Sequence, residues 1–159
     1  MKQSRDASCL CGAVLIRAHG ALRRVVFCHC SQCRKQTGLY FAATKVADEQ
    51  LEVDGQESIS WYQASDFAKR GFCRICGSAL FWKVIGSNAT SIMAGQLEQR
   101  SGLEPAMHIF TADKGDYYDI CDGLPQHERS TGDVPVARNN RVCAKPRLAR
   151  PSAEHLALG

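Results

Sequence analysis

Seven of the nine cysteines in this chain fall into three tight clusters, and that spacing limits the possible folds more than any other feature. The clusters are Cys9-Leu10-Cys11, Cys28-His29-Cys30-Ser31-Gln32-Cys33, and Cys73-Arg74-Ile75-Cys76 followed by Gly77. Residues 1–8 are polar and charged, so the apolar stretch of a signal peptide is missing there. No apolar run approaches the ~20 residues of a membrane-spanning helix. The expected location is therefore the cytoplasm, with no membrane partner. Thiols stay reduced there, and clustered cysteines more often bind metal than pair as disulfides.

Two cysteines one residue apart point to the same side of an extended strand, so Cys9 and Cys11 can share one ion. A Cys-x-x-Cys turn gives a second kind of chelate, which the glycine after it relieves; Cys73 and Cys76 with Gly77 fit this pattern. Together the two pairs can complete a closed tetrahedral zinc site, of the kind that ties distant parts of the chain together and contributes folding energy. Cys28, Cys30 and Cys33 remain as three thiolates that can hold a second zinc with an open fourth position, the mark of a catalytic metal. Three thiolates make zinc a poor generator of hydroxide but a soft partner for an incoming thiol. The expected cofactor is two Zn²⁺ per chain, one structural and one catalytic and labile.

Other uses of these residues fit less well. No βαβ pattern surrounds Cys73 and Cys76, as a thioredoxin-like redox pair would require. His29 lies between two ligands and on a strand would face away from them. His108 reads as a satisfied structural histidine rather than a general base. Cys121 and Cys143 are isolated and are expected not to be ligands.

The formal charge of +4 falls to roughly +1 once seven thiolates and two zinc ions are counted, which argues against a nucleic-acid partner. The 159 residues suit one domain with a core that needs no disulfides. Short apolar, β-branched runs at 12–17, 22–28, 39–44, 51–53, 58–62, 67–73, 79–84 and 91–94 read as strands, with a last one within 115–123. His19-Gly20-Ala21 is the expected turn pairing the first two runs, and Asp54-Gly55 a hairpin turn between 51–53 and 58–62. Residues 30–38 look loop-like, and no segment keeps a helical period for three turns. The fold class is mainly β, built of antiparallel sheets. After Pro125 the composition turns basic and loses its apolar pattern. The expected division is thus a zinc-binding domain at 1–125 and a loosely structured tail at 126–159.

Three segments carry a family resemblance. They are Ser8-Cys9-Leu10-Cys11-Gly12, the run from Cys28 through Cys33 to Arg34-Lys35-Gln36-Thr37-Gly38, and Arg70-Gly71-Phe72-Cys73-Arg74-Ile75-Cys76-Gly77 with Leu80 and Phe81. Pro105-Ala106-Met107-His108-Ile109 and Asp122-Gly123-Leu124-Pro125 add a weaker echo. The chain resembles the glutathione-dependent formaldehyde-activating (GFA) family, also called the centromere protein V/GFA domain family. The resemblance implies an Mss4-like fold clamped by a structural zinc on Cys9, Cys11, Cys73 and Cys76. It implies a catalytic-type zinc on Cys28, Cys30 and Cys33. It also implies a carbon–sulfur lyase acting on the adduct of formaldehyde with a small thiol such as glutathione. Members often carry a Trp before the late acidic-Leu-Pro segment, where this chain has Tyr117 and Tyr118. For the anionic ends of such a substrate, Arg34, Lys35 and the backbone at Gly38 are the nearest candidates, against the plain alternative of solvated charges. The aromatic wall beside Cys33 is expected from Phe41, Phe72 or Trp82. The alternative function is a non-catalytic zinc module for protein interaction, since fold alone does not fix activity.

Overall fold

A computed structural model describes residues 4–130. Its ten strands form two sheets. The smaller holds β1 (Ser4–Ser8), β2 (Leu15–His19) and β5 (Leu51–Asp54) in the order β1-β2-β5, all antiparallel. The larger holds β3 (Val25–Cys28), β4 (Phe41–Ala47), β6 (Ile59–Ser65), β7 (Ala68–Cys73), β8 (Ala79–Val84), β9 (Ala89–Met93) and β10 (Pro105–Ile109). Its order is β10-β3-β4-β9-β8-β7-β6, antiparallel except for the β10–β3 pair. The fold class is mainly β, as expected.

Alternation places the core. In β2, Ile16 and Ala18 turn inward while Leu15 and Arg17 face out. They meet Ala7 from β1 and Val46, Leu80, Phe81 and Ile92 from the larger sheet, in one cluster that also includes Cys9 and Cys73. Leu80 and Ile92 are fully buried, and each contributes about 1.5–3 kcal/mol of apolar burial. Cys9 and Cys73 are therefore built into the core between the sheets.

Three expectations about connections are corrected. The runs at 12–17 and 22–28 do not pair: β2 joins the smaller sheet and β3 the larger, and residues 20–24 cross between them. Asp54-Gly55 likewise does not make a hairpin, because β5 and β6 belong to different sheets. The backbone needs a glycine there for another reason. Gly55 has φ +75°, and a Cβ would stand 1.9 Å from the carbonyl oxygen of Ala13. The third correction is at 115–123, which forms no strand.

Residues 30–38 are not a loop either. Ser31–Thr37 is a seven-residue helix, α1, closed by Gly38 at φ 83°. Its single buried residue is Cys33, so it carries no amphipathic period for the sequence to show. Residues 126–129, at the start of the expected tail, run beside β10: His127 N–H donates to His108 O, and Phe110 N–H to Arg129 O. Residues 131–159, Cys143 among them, lie outside the described residues.

Candidate metal centres

The first cluster assembles from two turns. Cys9, Leu10 and Cys11 lie just past β1 in a turn closed by Gly12 N–H to Cys9 O (3.0 Å), and Cys9 N–H returns to Val14 O. The strand alternation expected to align Cys9 and Cys11 is thus replaced by a turn, with the same outcome: their sulfurs are 3.5 Å apart. Cys73 ends β7, and the next turn closes with Gly77 N–H to Cys73 O (2.8 Å). All four sulfurs lie within 4.8 Å of one another. Cys11 Sγ to Cys73 Sγ is 3.8 Å, close to the ~3.8 Å edge of a tetrahedron with Zn–S bonds of ~2.3 Å. Cys9 accepts from Val14 N–H (3.3 Å), and Cys76 shares a hydrogen bond with Ser78 Oγ (3.2 Å). The Ser78 hydroxyl and then its amide hold the Cys76 thiol down to about 5. The donor set fits a closed zinc site.

The second cluster forms where β3 turns into α1. Cys28 is the last residue of β3, Cys30 caps α1, and Cys33 sits one turn in. Arg34 N–H donates to Cys30 O (2.9 Å), and His29 N–H to Ile109 O (2.9 Å), pinning the bend on both sides. The three sulfurs also lie within 4.8 Å of one another. Hydrogen bonds from Cys28 and Cys33 favour the thiolate at Cys30, and contacts with Cys30 and then Cys33 push the Cys28 thiol up. Three soft sulfur donors this close together fit a divalent ion. All seven clustered cysteines are free thiols. Cys121 lies outside both groups.

Phe41 and Met93 pack with Cys33, and Trp82 packs against them; of the three aromatic candidates, Phe41 and Trp82 are in this group and Phe72 is not. The expected substrate contacts are placed less simply. Arg34 is half-buried and its Nε–H donates to Asp113 O (3.3 Å), while Lys35 is exposed. The Gly38 amide is already used, donating to Arg34 O, and Gly38 O accepts from the Tyr117 hydroxyl.

Two features escaped the sequence reading. Arg70 is buried and donates to Cys33 Sγ (3.5 Å). Behind the bend runs a chain of polar groups: Tyr118 Oη to His29 Nδ1 (2.5 Å), His29 Nε2 to His108 Nδ1 (2.8 Å), and His108 Nε2 to Asp122 Oδ2 (2.8 Å). His29 does face away from the thiols' shared space, and His108 is a satisfied histidine, as expected. A signal did exist: each of these residues stands inside or beside a segment that carries the resemblance.

Comparison with known proteins agrees with this geometry. The model of a family described as "Glutathione-dependent formaldehyde-activating enzyme" matches residues 4–113, a span that includes both clusters. A Schizosaccharomyces pombe protein named "Uncharacterized lyase C29B12.13" is 28% identical over 118 residues, 74% of this chain and 85% of that protein. A solved Rhodobacter sphaeroides protein, a structural-genomics target, shares 29% identity at a TM-score of 0.50, over 59% of this chain and 88% of its own. With a family match over most of its length and both cysteine clusters inside it, the chain belongs to the glutathione-dependent formaldehyde-activating enzyme family.

Proposed function

We propose that the protein is a zinc-dependent carbon–sulfur lyase acting on a thiol–aldehyde adduct such as S-hydroxymethylglutathione. The convergence of Cys28, Cys30 and Cys33 carries this reading: three soft donors leave a fourth coordination position for a substrate sulfur. Family membership and the name of the S. pombe relative, a lyase, support the reaction class. Cys9, Cys11, Cys73 and Cys76 hold a structural zinc in the same reading.

Cys28, Cys30 and Cys33 would hold the second zinc, which would supply stabilisation of a thiol as thiolate at neutral pH. The protein supplies the rest. Phe41 and Trp82 give the cluster an apolar wall that limits water. Arg34 and Lys35, on the turn of α1 after Cys33, offer positive charge to the carboxylates of a glutathione-like molecule. In the cleavage direction the C–S bond breaks with its electron pair on sulfur. The hydroxyl of the adduct gives its proton to solvent water as its O–H pair becomes the second bond of the aldehyde carbonyl. Addition is the reverse.

The test follows exchange among glutathione, formaldehyde and their adduct by NMR, with and without zinc-loaded protein. The expected result is accelerated exchange at two zinc ions per chain. No acceleration with glutathione or other small thiols, despite two bound ions, would favour a non-catalytic zinc module for protein interaction.

A further inference from the structure

Arg70 is 7% exposed, yet among the described residues no ion pair with Asp or Glu forms at it. Its hydrogen bonds go to the neutral Gln36 Oε1 (3.1 Å) and Gln32 Oε1 (3.4 Å) and to Cys33 Sγ (3.5 Å). Its Nε is buried with no partner, and its guanidinium lies 5.5 Å from the centroid of the Phe41 ring. A buried arginine is ordinarily matched by an anion, because an unmatched charge is costly to hold away from water. Among the described residues, the one group hydrogen-bonded to it that can carry negative charge is Cys33.

We propose that Arg70 is the counter-charge of the Cys28, Cys30 and Cys33 centre, and that its N–H···S bond to Cys33 sets how tightly that centre holds a divalent metal. The proposal rests on the reading of this cluster as a metal site. Three thiolates around a divalent ion leave one surplus negative charge, and the guanidinium cancels it. The first cluster is arranged differently. Its hydrogen bonds come from neutral groups, the Val14 amide and the Ser78 hydroxyl, and Cys11 is open to solvent. Water can screen the surplus charge of a four-thiolate site there, whereas Cys33 is buried. Gln32 and Gln36 are both on α1 and both accept from Arg70, so the same side chain fixes the helix that carries Cys33. Arg70 acts through Cys33 and is a positioning residue. Partners of metal ligands commonly change affinity 10- to 100-fold when removed.

The experiment exchanges Co(II) into the cysteine centres of the full, folded chain and reads its thiolate-to-cobalt charge-transfer bands while a chelator competes for the ion. The cobalt in the first cluster is the internal control for folding. Arg70→Met should weaken the second cobalt about 10- to 100-fold and leave the first unchanged. The second centre's charge-transfer band should move to lower energy, because a thiolate relieved of a hydrogen bond is a better donor. Arg70→Lys, which keeps the charge without the fork, should recover part of the affinity. If both variants hold the second cobalt as tightly as the parent, at unchanged band energy, Arg70 only packs α1 and the proposal is overturned. If the parent takes up a single cobalt, the metal reading fails first and the proposal with it. Should Arg70→Met lose both ions by unfolding, Arg70→Lys decides the matter by the same two readouts.

Discussion

His29 Nε2 stands 2.8 Å from His108 Nδ1, two buried imidazoles joined by one hydrogen bond directly behind the bend that carries Cys28 and Cys30. Their tautomers follow from the end of the chain. The Asp122 carboxylate can only accept, so His108 Nε2 carries a proton, and in the neutral ring His108 Nδ1 accepts from His29 Nε2–H. His29 Nδ1 is then left to accept from the Tyr118 hydroxyl. One partly exposed carboxylate thus orients two rings and a phenol.

Asp122→Ala should break this order at its source. His108 Nε2–H then loses its acceptor, at a cost of about 1–3 kcal/mol. Asp122→Asn, which keeps an acceptor oxygen, should lose less. Urea unfolding of the zinc-loaded proteins measures both, and equal stability of Asp122→Ala and the parent would show that the chain does not fix the rings.

Acid should act on this chain through His29. Burial, and after it the neighbouring His108 ring, lower its pKa to about 4. As pH falls, the unfolded chain protonates this residue first, near its ordinary ~6.5. Stability is therefore lost between about pH 6.5 and about pH 4, by about 3 kcal/mol at most, and the loss levels off below that. Unfolding at pH 7 and pH 4.5, compared between the parent and His29→Gln, isolates this residue from acid effects common to both. A parent whose stability fell no more steeply than the variant's would contradict it.

The grouping of the cysteines was far more legible in the sequence than the topology. Cysteine spacing is a local property, so Cys73-x-x-Cys76-Gly77 announces its turn wherever it lies in the fold. Pairing is not local. β2 and β3 look like neighbours because a turn signal separates them, but Ile16 and Ala18 are claimed by the core facing the other sheet. Seven residues of α1 with one buried side chain fall below what periodicity can reveal. The same limit hid Arg70: nothing in a strand sequence says that residue 70 will meet residue 33 across a helix.

Gly55→Ala tests the sheet-to-sheet crossing directly. The new Cβ would fall 1.9 Å from Ala13 O, at a positive φ that L side chains rarely adopt. Backbone cannot yield as a flexible side chain tip can, so the expected loss is about 2–4 kcal/mol. Gly38→Ala is the control, with positive φ but nothing within 4 Å of the added atom; it should cost roughly 1 kcal/mol. Equal losses in the two variants would mean that the Ala13 contact is unimportant.

The two cysteine clusters should respond in opposite ways to the same substitution. Cys73 is 0% exposed and belongs to the core between the sheets. Cys73→Ser puts a hydroxyl there and removes one of the four thiols that converge from β7 and the turn after β1, so the protein should unfold or aggregate. Cys30→Ser falls at the N-cap of α1, where no side-chain capping bond exists. Serine is a favoured N-cap residue, so the helix should be kept or slightly stabilised. The expected result for Cys30→Ser is a native circular-dichroism spectrum, one bound zinc instead of two, and no acceleration of glutathione–formaldehyde exchange. Stripping the parent with a chelator should follow the same order, first losing activity with the fold intact and then losing the fold. Two zinc ions retained by Cys30→Ser, or full activity with one, would separate catalysis from the Cys28, Cys30 and Cys33 centre.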